Sequence, residues 1–209
     1  MSSLSVKKLG GLALIVGPIL TLVAYQLTPG VLGDFEMVGN HVAVQMEAAA
    51  SVGMAEFSGL LLVAAMLVML FGFNSLSEKV RGGNGEALFR LGLLPITAGI
   101  LMWITGAAVY LAIANGMPTP NAAQAGLTSL GEISFAAGVV VIGLALLSRD
   151  DFNKIALGIF VAAGILSLVL NIFSTQLSLD AQIHGILISI TYIIWVIWAV
   201  IVGLSQIKE

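Results

Sequence analysis

The chain alternates long apolar runs with short polar connections, and six of the runs are long enough to cross a bilayer. A hydrocarbon core of about 30 Å requires about 20 predominantly apolar residues in a helix. The runs that qualify cover residues 9–28, 53–73, 91–114, 127–147, 155–175 and 183–204. Because the connections are short, we expect successive helices to be antiparallel. The pattern predicts an all-α, polytopic membrane protein: one domain, residues 1–209, with six transmembrane helices in a compact bundle.

Composition agrees with this class and excludes several others. Of the 209 residues, 59% are hydrophobic and 9% are charged, whereas soluble domains carry about 25% charged residues. The absence of cysteine excludes disulfides and thiolate metal sites. The net charge of −3, without a basic stripe, predicts no nucleic-acid partner. The lipid bilayer is the partner that the sequence predicts.

The basic residues indicate an orientation. With six spans they fall at the two termini and in the second and fourth connections, and none falls in the first, third or fifth. They are Lys7, Lys8, Lys79, Arg81, Arg90, Arg149, Lys154 and Lys208. By the positive-inside rule, both termini are predicted to be cytoplasmic in the plasma (inner) membrane.

Three of the spans open with similar polar residues. The pairs are Glu56 with Ser58, Glu132 with Ser134, and Gln182 with His184. Ionisable side chains are costly inside a bilayer and less costly near its edge. Counting back about 20 residues from the inner ends of the spans puts Glu56 and Glu132 in the first turn of each, at the outer membrane boundary.

The odd-numbered spans also share a pattern, in which a basic residue precedes each span and a glycine lies near its middle. The glycines are Gly17, Gly99 and Gly164. This predicts three parallel-repeat helical hairpins related by an axis along the membrane normal. The alternative is coincidence, because glycine is frequent in transmembrane helices and the positive-inside rule alone supplies the basic residues.

Two further sets of polar residues follow helical spacing. Gln124, Thr128 and Glu132 recur every four residues and should share one helix face. In the connection after the first span, His41 and Gln45 have the same spacing. We expect that segment to form a helix continuing directly into the second span, with His41 and Gln45 on a wetted face above the membrane.

The favoured function is non-enzymatic: holding a small ligand or cation in a polar pocket open to the extracytoplasmic side, for transport or binding. The candidate ligand-binding residues are Glu56, Glu132, His184, Gln182, Ser58 and Ser134. A divalent metal ion is the candidate cofactor, with His41, Glu132 and His184 as its ligands, because carboxylate and imidazole bind such ions. The alternative for Glu56 and Glu132 is that each caps the positive end of a helix dipole.

Two other functions remain open. The chain has many small residues that allow close helix packing, and this fits an accessory or assembly subunit of a larger membrane complex, or a homo-oligomer. The other alternative is a small membrane enzyme that acts on a lipid or quinone at the outer leaflet. The pocket hypothesis requires Glu56, Glu132 and His184 to point inward within about 10 Å of one another.

Overall fold

A computed structural model describes residues 5–38, 40–118 and 121–208, and the described part of the chain is helical without strands. The helices are α1 (Val6–Gln26), a short 3-10 helix (Phe35–Met37), α2 (His41–Ala50), α3 (Val52–Val80), α4 (Glu86–Ala114), α5 (Asn121–Leu147), α6 (Lys154–Leu177) and α7 (Ala181–Lys208). All of these except α2 and the 3-10 helix are long and apolar enough to cross a membrane. The predicted all-α bundle of six membrane-length helices is confirmed.

The six long helices form a closed ring in chain order. Each packs on the next, from α1 through α3, α4, α5 and α6 to α7, and α7 packs back on α1. Because successive helices run in opposite directions, the basic residues gather at one end, which we call the basic end. There the Arg149 guanidinium donates a hydrogen bond of 3.3 Å to the Val80 carbonyl, so α3 and α5 end at the same level.

Glycines allow the closest approaches between neighbouring helices. A Cβ on Gly17 of α1 would lie 2.6 Å from the Met69 nitrogen of α3. One on Gly99 of α4 would lie 2.7 Å from the Gly131 carbonyl oxygen of α5. Both glycines therefore face the partner helix of their own predicted hairpin. Gly164 of α6 instead faces α5, in the preceding hairpin, so the third hairpin differs and the threefold repeat stays a prediction.

An aromatic cluster fills the middle of the ring. Phe135 lies edge-on to Trp195 with ring centroids 4.8 Å apart, and Phe73 stacks on Trp195 at 6.2 Å. Trp103 completes the cluster at 5.0 Å from Phe135. Such pairs add about 0.5–1.5 kcal/mol each beyond their area burial. The cluster fills the centre of the bundle with rings from α3, α4, α5 and α7.

The segment at residues 31–50 folds into the opposite end of the ring, and we call it the roof segment. Its apolar residues are buried against α3 and α4, in a second core that contains Val31, Val38, Val44, Ala48, Ala55, Tyr110 and Ala114. The 3-10 helix contacts α7, while α2 contacts α3, α4 and α5. The expected continuation of α2 into the second span is wrong. Ser51 is non-helical (φ −135°, ψ 55°) and separates the two helices.

We predict that Gly99→Ala destabilises the protein because the added Cβ would meet the α5 backbone, which cannot yield without moving the helix. The expected loss is about 1–3 kcal/mol, typical of overpacking, measured as a lower unfolding temperature in detergent. Gly158→Ala is the matched control, since nothing lies within 4 Å of its Cβ position. Equal unfolding temperatures for the two variants would contradict this packing.

Candidate functional site

A cavity of about 460 Å³ lies inside the ring, beneath the roof segment. All six long helices contribute to its wall, and the roof segment adds Val38, His41 and Val44. Its polar lining includes Thr21, Tyr25, Tyr110, Gln124, Thr128, Glu132, Ser167, Asn171, Thr191 and Tyr192. The wall is nevertheless mostly apolar, and the roof segment covers the cavity at the end where the sequence predicted an open pocket.

Glu132 and His41 face each other in this cavity. The distance between Glu132 Oε1 and His41 Nε2 is 3.9 Å, and the side chains are 25% and 11% exposed. That distance allows an electrostatic interaction but is too long for a hydrogen bond. Both side chains line the cavity, so their polar atoms remain able to contact a molecule bound there.

Glu132 lies deeper in the bundle than the sequence predicted. It precedes the end of α5 by 15 residues, whereas Glu56 precedes the end of α3 by 24. The nine-residue difference corresponds to about 13 Å along the helix axis. The expectation that both acids share the outer boundary is therefore wrong. The adjacent Gly131 lies against Gly99 and Trp103, near the middle of α4.

A polar ladder on α5 explains how α2 is held in the roof. Gln45 Nε2 donates to Gln124 Oε1 at 2.6 Å and to the Asn121 carbonyl at 3.1 Å. Gln124 Nε2 in turn donates to the Thr128 hydroxyl at 3.2 Å. His41 lies one turn before Gln45 and faces Glu132, so α2 runs antiparallel along the predicted polar face of α5.

Burial changes the protonation of His41. Removal from water lowers the pKa of its imidazole from 6.5 to about 4, because a low-dielectric environment disfavours the charged form. His41 is consequently neutral at pH 7 and offers one hydrogen-bond donor and one acceptor. The expected wetted position of His41 is wrong, because its side chain is only 11% exposed, and its four-residue spacing from Gln45 indicates the face that α2 turns to α5.

The remaining candidate residues lie outside the cavity lining. Glu56 is exposed and accepts a hydrogen bond of 3.1 Å from Asn115 Nδ2. Ser58 is buried, but its hydroxyl donates to the Ala55 carbonyl of its own helix. Glu56 therefore serves as a surface group at the roofed end, and Ser58 as part of the α3 packing.

The third predicted pair also stays apart from Glu132. Gln182 is exposed and His184 is half-buried near the start of α7, and neither lines the cavity. The Nε2 atom of His184 is buried without a hydrogen-bond partner in the described part of the chain. Ser134 is half-buried and is likewise outside the lining. The structure thus brings together Glu132 and His41 and leaves the others separate.

The predicted metal ligands assemble only in part. Across residues 5–38, 40–118 and 121–208, no group of three or more His, Asp or Glu side chains is placed to hold a metal ion. His41 and Glu132 form a pair, while His184 does not line the cavity that they share. A pair alone falls short of the three protein ligands typical of catalytic zinc sites.

Six apolar helices in a ring define a multi-pass α-helical membrane protein as the class of this chain. No family model matches the chain, and no curated protein or solved structure is significantly similar to it.

We predict that acid destabilises the protein through His41. Between pH 6.5 and about 4 the unfolded histidine binds a proton that the folded one does not, so stability falls as pH falls through this range. The loss is up to about 3 kcal/mol. Unfolding temperatures should drop less for His41→Gln than for wild type between pH 7.5 and 4.5. The control His184→Gln should keep the full drop, and identical profiles for wild type and His41→Gln would contradict the prediction.

Proposed function

We propose that this protein binds a small amphiphilic molecule in the cavity beneath the roof segment, as a non-enzymatic binding or transport protein of the plasma membrane. The observation that carries the proposal is the cavity itself, about 460 Å³ in volume with the Glu132–His41 pair in its wall. Ligand pockets commonly measure 300–1,000 Å³ and combine apolar walls with a few convergent polar groups.

The lining supports an amphiphilic ligand. Leu62, Met66 and Ile188 supply apolar wall, while Glu132, His41 and Thr128 supply polar atoms. A ligand with one polar group and an apolar body would satisfy both surfaces. A wholly polar solute would leave the apolar wall facing polar atoms, and a wholly apolar one would leave the carboxylate without a hydrogen bond.

The charge distribution supports entry from the extracytoplasmic side. The basic end carries the eight Lys and Arg residues of the sequence, and such residues favour the cytoplasmic side of a membrane. The roof segment then lies on the outer side, where Asp34 and Gly33 also line the cavity. A ligand from outside would reach Glu132 by passing the roof segment.

Cysteine labelling tests this access, because the natural chain contains no cysteine. We expect Thr128→Cys in the cavity wall to react with a membrane-impermeant thiol reagent added to intact cells. Ser58→Cys is the matched control, since Ser58 is 1% exposed and outside the lining, and it should stay unlabelled. Labelling of Thr128→Cys no faster than that of Ser58→Cys would contradict entry from outside.

Binding itself can be measured with the neutral fluorescent probe N-phenyl-1-naphthylamine. We expect saturable binding to the purified protein in detergent, weakened about tenfold or more by Ala107→Phe. Ala107 lines the cavity, so the larger ring would occupy ligand space. Ala64→Phe is the control because Ala64 is exposed on the outside of α3. Equal binding to wild type and Ala107→Phe would overturn the proposed site.

A further inference from the structure

We infer that the ligand is an organic monocation, in which an ammonium group with an attached apolar part meets Glu132 beside Trp103 and Phe135. This inference rests on the proposed function and names the ligand class for the same cavity. It follows from three independent features of the wall: its charge, its aromatic content and its shortage of metal ligands.

The charge of the cavity is one-sided. Glu132 lies deep in the wall and Asp34 lines the cavity at the roofed end, whereas no Lys or Arg is found among its described lining residues. The Glu132 carboxylate is 25% exposed toward this space and accepts no hydrogen bond from residues that the structure describes. A carboxylate in an apolar environment is costly without a partner of opposite charge. A cationic ligand supplies that partner, and an anionic one would be repelled.

Two aromatic rings line the same cavity as the Glu132 carboxylate. Phe135 is three residues further along α5, on the same helix face as Glu132. Trp103 lies against Gly131, which precedes Glu132, and its ring centroid is 5.0 Å from that of Phe135. Both rings line the cavity. Aromatic rings and a carboxylate in one cavity attract alkylammonium groups, through cation–π interactions that strengthen when the cation is desolvated.

The same wall disfavours a metal cation. A divalent ion needs several oxygen or nitrogen ligands at short range, and no cluster of three His, Asp or Glu occurs within the described ranges. An ammonium group requires only one carboxylate, with hydrogen-bond acceptors such as the Thr128 hydroxyl nearby. Its apolar part can occupy the space beside Leu62 and Met66.

The test uses benzyltrimethylammonium and its uncharged isostere neopentylbenzene, in which carbon replaces the nitrogen. Each competes with N-phenyl-1-naphthylamine for the full-length purified protein, and Ala107→Phe gives the background from the detergent micelle. We expect the cation to bind about tenfold or more tightly than the isostere. In Glu132→Gln this preference should disappear while the neutral probe still binds, which also shows that the variant is folded. Glu56→Gln, on an exposed acid outside the cavity, should keep the preference.

Equal affinities of the wild-type protein for the cation and its isostere would overturn the inference. This outcome is measured on the wild-type protein alone. An unchanged preference in Glu132→Gln would overturn it as well. In both cases the neutral probe would still bind, so the proposed cavity function would stand. Failure of the neutral probe to bind wild type would instead reject the proposed function.

Discussion

The pairing of α2 with the polar face of α5 is the interaction on which the site depends. Gln45 bonds to Gln124 and to the Asn121 carbonyl, and His41 faces Glu132 one turn deeper. In the low dielectric of a membrane protein, buried polar groups must find internal partners. The polar stripe of α5 therefore requires a polar partner at its outer half, and α2 supplies one. The same contact covers the ring and separates the cavity from the space above it.

The roof segment is held by tertiary contacts more than by its own helicity. At ten residues, α2 is shorter than the 12–15 residues at which isolated helices become stable in water. Its stability comes from the buried residues Val44 and Ala48 and from the hydrogen bonds that the side-chain amide of Gln45 donates. Ser51 is non-helical and separates α2 from α3, so the helicity of α3 does not extend into α2.

Hydropathy predicted the helices well, and helical spacing correctly grouped Gln124 with Thr128 and Glu132. Two features of the site, the depth of Glu132 and the position of the roof segment, were not predicted, and both depend on contacts between α2 and α5. Counting about 20 residues back from Leu147 starts the fourth span near residue 127 and so puts Glu132 at the outer boundary. In the structure α5 begins earlier, at Asn121. Gln45 of the roof segment supplies hydrogen bonds to Asn121 and Gln124, the polar residues of the first turn of α5. The roof itself could not be predicted because its position depends on contacts between residues 76 and 79 positions apart.

The two Glu-x-Ser sequences show how little a short polar motif says about its environment. Glu56 is exposed and bonded to the Asn115 amide, so its charge is solvated and costs little. Glu132 lies in the same Glu-x-Ser pattern but faces a cavity. Aromatic rings line that cavity, and no Lys or Arg is among its described lining residues. A carboxylate enclosed in this way is costly unless an opposite charge or hydrogen bonds compensate it, and His41 Nε2 lies 3.9 Å from it. The different environments of the two acids come from tertiary packing, since the ring and α2 enclose Glu132 whereas Glu56 stays at the surface.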